Sequence, residues 1–238
     1  MNGLIGLGAT LGLLLLAGGL IGLTDRRRFA PRWLLIAALL VAVNDLLLTR
    51  GYGTMPDLIA GSDWNWQGKL MALAASLAIA ALPAFGWRNA GLTFIQAPGS
   101  LRSSIPVALL YCGFFLVLAA AFPNGETDGE HLAFQLSMPG LEEELFYRGI
   151  LLLALDRAFA GRVRFLGIDW GWGAILSSLL FGMTHAFGYS DGRFSLDVMI
   201  LALTALPSLI AVWLRARTGS LVLPVFLHNF GNSILLAV

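Results

Sequence analysis

Apolar runs of about the length needed to cross ~30 Å of hydrocarbon recur along the whole chain, separated by short polar connections. They fall at Leu4–Leu23, Trp33–Leu48, Leu70–Phe85, Ile105–Phe122, Pro139–Phe159, Trp172–Phe187, Leu196–Leu214 and Leu221–Leu236. This pattern predicts an all-α fold, a polytopic transmembrane bundle of about eight helices enclosing a polar cavity. No soluble domain, low-complexity linker or internal repeat interrupts it, so residues 1–238 are expected to form a single membrane domain. The first run is too long for a signal-peptide core, has no cleavage site behind it, and is expected to be a retained span.

Composition agrees with that class. Of 238 residues, 58% are hydrophobic and 12% charged, against about 25% charged in soluble domains. The mean hydropathy is +0.79. The net charge of +1 says little, but the positions of the charges say more. Arg26, Arg27, Arg28 and Arg32 follow the first span, Arg88 and Arg102 the third, Arg157, Arg162 and Arg164 the fifth, and Arg215 and Arg217 the seventh. The alternate loops hold Arg50, Lys69 and Arg193, with Asp57, Asp63, Glu126, Asp128, Glu130 and Asp191. By the positive-inside rule both termini are extracytoplasmic. No basic patch with interleaved aromatics is present, so no nucleic-acid partner is expected. The single cysteine, Cys112, sits in an apolar run, where a small core hydrophobe is the expected role.

Against this apolar background one segment stands out: Met138-Pro-Gly-Leu-Glu-Glu-Glu-Leu-Phe-Tyr-Arg148. A charge in hydrocarbon costs roughly 2.5–3.5 kcal/mol on insertion scales, so Glu142, Glu143, Glu144 and Arg148 call for a reason. Pro139-Gly140 places the glutamates at or just after a helix start, where exposed N–H groups favour negative charge, or else at a kink in a helix running from about Glu130. Two other apolar runs carry polar groups at helical spacing, Phe181-x-x-x-His185 and His228-x-x-x-Asn232.

Helical geometry separates the roles. Glu144 and Arg148, four apart, share a face and are expected to pair. Glu143 is turned about 100° from Glu144 and can address another helix. A carboxylate beside a neutral imidazole can deprotonate water. His228 and Asn232 present N–H donors on one face, suited to an oxyanion. Taken singly, each group has a plainer role. An acidic cluster suits a helix start, and an intramembrane histidine or asparagine often only bridges helices. Phe181 is expected to pack, His131 to be surface, and Glu142 to face a polar cavity or the headgroups. Asn44-Asp45 either lines the cavity or sits at the interface.

Together the three motifs, in this order, resemble those of the CAAX-processing and bacteriocin-processing (Abi-type) intramembrane endopeptidases, the group that includes the Ras-converting prenyl-protein endopeptidases. The resemblance covers roughly Pro139 to the carboxyl terminus. It implies a glutamate-dependent endopeptidase in which Glu143 and His185 activate water, His228 and Asn232 bind the oxyanion, and Glu144, Arg148 and Phe181 support them. It implies no cofactor. A glutamate and two histidines can also ligate zinc, although asparagine is a poor zinc ligand.

The expected activity is cleavage of a peptide bond near the membrane-anchored, C-terminal end of a protein or peptide, in a prokaryotic cell (inner) membrane. The partners are that substrate and the lipid bilayer. Two rivals stand beside it: a non-catalytic binding, immunity or scaffold protein of the same fold, and a proton-coupled transporter, which the lack of two matched broken helices disfavours.

Overall fold

The computed structural model of the chain describes residues 2–54, 56, 59, 61–123 and 127–237. Asp57 and Glu126 of the loop-charge pattern lie outside the described residues. Helices occupy each predicted span: α1 (Asn2–Thr24), α2 (Pro31–Thr49), α3 (Trp66–Ala81) and α4 (Leu101–Ala121). A short α5 (Gly129–Gln135) precedes α6 (Met138–Glu144), which continues through a π-helical segment, Leu145–Leu151, into α7 (Leu152–Ala158). Then come α8 (Trp172–Ala186), α9 (Val198–Thr218) and α10 (Val222–Ala237). The fold is an all-α polytopic bundle, and the protein is an integral membrane protein. Among the described residues, α1, α2, α4 and α9 are long and apolar enough to cross a bilayer unaided. Their exposed leucines, such as Leu16, Leu39, Leu110 and Leu203, form the surface that hydrocarbon covers.

The chain folds as two compact units, Met1–Asp45 with Ile150–Trp213, and Leu46–Gly149 with Leu214–Val238. In the first unit α1 buries a stripe at every fourth residue: Thr10, Leu14, Gly18 and Gly22. The two glycines admit α2 and its entry. A Cβ at Gly18 would stand 2.7 Å from Leu34 Cδ1, and one at Gly22 2.4 Å from the Phe29 ring. This is the small-residue contact by which membrane helices gain packing without a hydrophobic drive. Phe29 stacks on Phe159 at 5.4 Å. The backbone pairs Ala30 N–H with Ala158 O at 2.8 Å and Ala160 N–H with Arg28 O at 2.9 Å. Arg26–Arg28 therefore lie beside the end of α7, which carries Arg157 and leads to Arg162 and Arg164.

Two hairpins, β1 (Val163–Phe165) with β2 (Ile168–Trp170) and β3 (Phe187–Ser190) with β4 (Arg193–Leu196), depart from the purely helical expectation. Each turns on two left-handed residues, Leu166-Gly167 and Asp191-Gly192. Asp-Gly between short apolar segments is a strong hairpin signal that helix-length hydropathy passes over.

The second unit is built on α10, which packs against α4, α5 and α6, while α3 packs on α6. Leu145, Leu221, Ala80 and Ala90 form a small core there. Its basic residues also gather: at the end of α9 Arg215 donates to Asn89 O at 2.6 Å and Arg217 to Ser103 Oγ at 3.0 Å, next in sequence to Arg88 and to Arg102 at the start of α4.

Candidate functional site

The glutamates enter at a helix start made from two neighbouring elements. α5 ends at Gln135, and Pro139 occupies the first turn of α6, where its missing N–H costs nothing. Ser137 precedes α6 without capping it by its side chain. The cap comes instead from α10. Asn229 Oδ1 accepts from Gly140 N–H at 2.7 Å, and its Nδ2 donates to Ser137 O at 3.3 Å. Gly140 is needed for this approach, because a Cβ there would lie 2.4 Å from Asn229 Oδ1 and 2.7 Å from Val225 O. The glutamates thus follow a true helix start rather than a kink. α5 is itself capped by Asp128, which accepts from His131 N–H at 2.7 Å. Glu130 accepts from Ser62 Oγ and, at 2.9 Å, from Trp66 Nε1. The Ser62 hydrogen bond, aided by the others, holds the Glu130 carboxyl below the usual range.

Below this start lies an ionic network on three helices. Glu144 Oε1 is 3.2 Å from Arg148 Nη1 and accepts from His228 Nδ1 at 2.7 Å. Glu144 and Arg148 are both about 2% exposed, so the pair is fully withdrawn from solvent. His228 Nε2 faces Glu143 Oε2 at 3.6 Å, beyond a direct hydrogen bond but close enough for both to address one oxygen placed beside them. Lys69, in the first turn of α3, places Nζ 2.6 Å from Glu143 Oε1 and 2.8 Å from Glu142 Oε2. Glu142 is fully buried against Lys69, which excludes the headgroup alternative and leaves it in the polar interior. A buried carboxylate needs a cation, and Lys69 is that cation. One helical turn beyond His228, Asn232 Nδ2 donates to Gln135 Oε1 at 3.1 Å.

The second unit therefore brings together Glu143, Glu144, Arg148 and His228, with Asn232 on the same helix as His228. His185 and Phe181 belong to the first unit, on α8. His185 is exposed, and its Nδ1 meets Phe181 O at 2.8 Å. A carbonyl only accepts, so Nδ1 carries the proton and Nε2 is the basic nitrogen. Phe181 is buried and its ring packs on the imidazole, with centroids 4.7 Å apart. His131 is half-buried and stacks on Trp64 at 4.3 Å, so it is not simple surface.

Spacing alone missed three partners: Lys69, Asn229 and Gln135. Lys69 read as a loop charge because the apolar run begins at Leu70, although an isolated lysine at a span entrance opposite three glutamates is a pairing signal. Asn229 could have been sought as the cap that a proline-led helix in hydrocarbon requires.

A membrane bundle whose helices enclose acid, imidazole and amide groups in one buried cluster has the equipment of an intramembrane hydrolase. Residues 131–234, spanning α5 to α10 and all three motifs, match the family described as Type II CAAX prenyl endopeptidase, Rce1-like. That match agrees with the resemblance of the three motifs to CAAX-type intramembrane endopeptidases. No curated protein and no solved structure matches the chain.

Glu144 balances two partners and Glu143 shares Lys69 with Glu142, so their losses should differ. Glu144→Gln leaves a buried arginine uncompensated and is expected to cost about 3–5 kcal/mol. Glu143→Gln leaves Lys69 paired to Glu142 and should cost far less. Unfolding of the detergent-purified protein measures both, and equal losses would contradict this assignment of partners.

Proposed function

We propose that this protein is a glutamate-dependent endopeptidase that cuts a peptide bond near the membrane-anchored C-terminal end of its substrate. The observation that carries this is the placement of Glu143. One carboxylate oxygen is held by Lys69, and the other faces His228 Nε2 at 3.6 Å in a buried, charge-compensated setting.

In this mechanism Glu143 takes a proton from water as the water oxygen attacks the scissile carbonyl, and the carbonyl π electrons move onto its oxygen. His185 is assigned a catalytic role by its resemblance to the family motif alone, and its tautomer leaves Nε2 ready to accept a hydrogen bond. His228 and Asn232 donate to the oxyanion. Because His228 Nδ1 already donates to Glu144, donation from Nε2 requires the imidazolium. Glu144 is the counter-ion for that form and for Arg148. Collapse of the tetrahedral intermediate returns the proton from Glu143 to the leaving amine. Residues 1–238 act as one protease domain in this account, and the side chains do the work without a metal.

The charge pattern assigns the arginine-rich connections to the cytoplasm, with both termini outside. The starts of α3 and α6 then lie on the outer side, and Glu143, about one turn inside α6, is near that surface. Substrates are accordingly exported or surface-anchored chains in a prokaryotic inner membrane, held by an apolar or lipidated tail. A cysteine at Arg27 should react with an impermeant thiol reagent only from the cytoplasmic side; reaction from outside would reverse this orientation.

Activity is tested on a quenched-fluorescent peptide ending in a prenylated cysteine and three further residues, beside its unprenylated twin. Glu143→Gln should lower kcat/KM by roughly 100- to 10,000-fold, as for loss of a general base. The native rate should survive a strong chelator. A rate lost on chelation and restored by zinc would make the motif side chains ligands instead. Native-like cleavage by Glu143→Gln would refute the proposed base.

A further inference from the structure

Lys69 and Glu142 lie outside the three motifs, yet both are directly engaged around Glu143. Lys69 Nζ stands 2.6 Å from Glu143 Oε1 and 2.8 Å from Glu142 Oε2. Side-chain exposure is 12% for Lys69, 14% for Glu143 and none for Glu142, so little solvent screens these contacts. Consecutive helix residues diverge by about 100°, so Glu142 and Glu143 straddle the ammonium from two sides.

A lysine bound to a general base has two opposed effects. It fixes the carboxylate and decides which oxygen is left to work. It also favours the ionised form and so weakens the carboxylate as a proton acceptor. A second carboxylate on the same ammonium divides that pull. Two carboxylates on one ammonium carry a net single negative charge, which is what a base requires.

We infer that Lys69 and Glu142 are positioning residues for the hydrolytic step. Lys69 holds Glu143 by Oε1 so that Oε2 faces His228, and Glu142 takes up enough of the ammonium's charge to keep Glu143 basic. This rests on Glu143 being the base. Among the described residues, the charged or titratable groups beside the cluster are Glu144 and Arg148 on the same helical stretch, and His228 on α10. Tyr111 of α4 lies within electrostatic reach of Glu144. None of them is altered in the test.

The test is the dependence of kcat/KM on pH for the full-length protein in detergent, with the prenylated peptide as probe. Activity on the acid side fails when the base becomes protonated. Glu142→Gln keeps the shape of the side chain but leaves the ammonium's charge undivided on Glu143. Its acid limb should move to lower pH, with a reduced plateau. Lys69→Met removes the cation and leaves two adjacent carboxylates, so its acid limb should move up by about one to three pH units. Lys69→Arg keeps the charge and should stay near the native limb. A merely structural role would lower the plateau and leave the limb in place. An unmoved or raised limb in Glu142→Gln therefore overturns the inference, and that variant decides alone if Lys69→Met does not fold. Glu143→Gln is measured beside them. If it is active, the base itself is misassigned; if it is inactive and the Glu142→Gln limb has not moved, only the roles of Lys69 and Glu142 fall.

Discussion

Charge compensation inside the second unit is the constraint from which the rest of the site follows. Three consecutive carboxylates, Glu142, Glu143 and Glu144, sit on one short helix in a chain whose spans are mostly apolar. Buried carboxylates are tolerated only when paired and hydrogen-bonded. The structure meets each one: Lys69 holds the first two, and Arg148 and His228 hold the third. With His228 as the imidazolium, three anions face three cations. Removing Glu144 strands a buried arginine, whereas Lys69 keeps one carboxylate when the other is lost, so the network is most sensitive at Glu144.

The packing of helices expresses the same constraint. α3 must approach α6 to deliver Lys69, and α10 must cross it to deliver His228. Gly140 lets α10 come close enough for Asn229 to cap the helix that carries the glutamates. The π segment begins at Leu145, immediately after Glu144, and contains Arg148. Such departures from α geometry persist mostly where function requires them. Here the register change accompanies a buried ion pair that must form at 3.2 Å while its acid partner also serves a histidine. Chemistry and folding therefore draw on the same contacts.

Much of this was legible in the sequence, for identifiable reasons. The spans follow from hydrocarbon thickness and hydropathy, and the helices occupy them with boundaries shifted by a few residues. The Glu144–Arg148 contact follows from four-residue spacing. What spacing cannot show is which helix stands opposite. Lys69 and Glu142 are 73 residues apart, and no local pattern announces their contact. His228 illustrates the same limit from the other side. Its pairing with Asn232 follows from a shared helix face, yet its Nδ1 is bonded to Glu144, which sets its proton inventory. The hairpins were hidden because a window long enough to find a membrane helix averages away a four-residue strand.

On the proposed mechanism Glu143 acts as a base on water and does not itself attack the substrate. A single turnover in ¹⁸O-labelled water, with enzyme in excess over the prenylated peptide, tests this directly by mass spectrometry. With Glu143 as a base, one labelled oxygen enters the new carboxyl terminus of the cleaved peptide and none enters the segment of the enzyme containing Glu143. Label in the Glu143 carboxylate would show that a covalent anhydride forms and is hydrolysed at the enzyme, and would contradict that role.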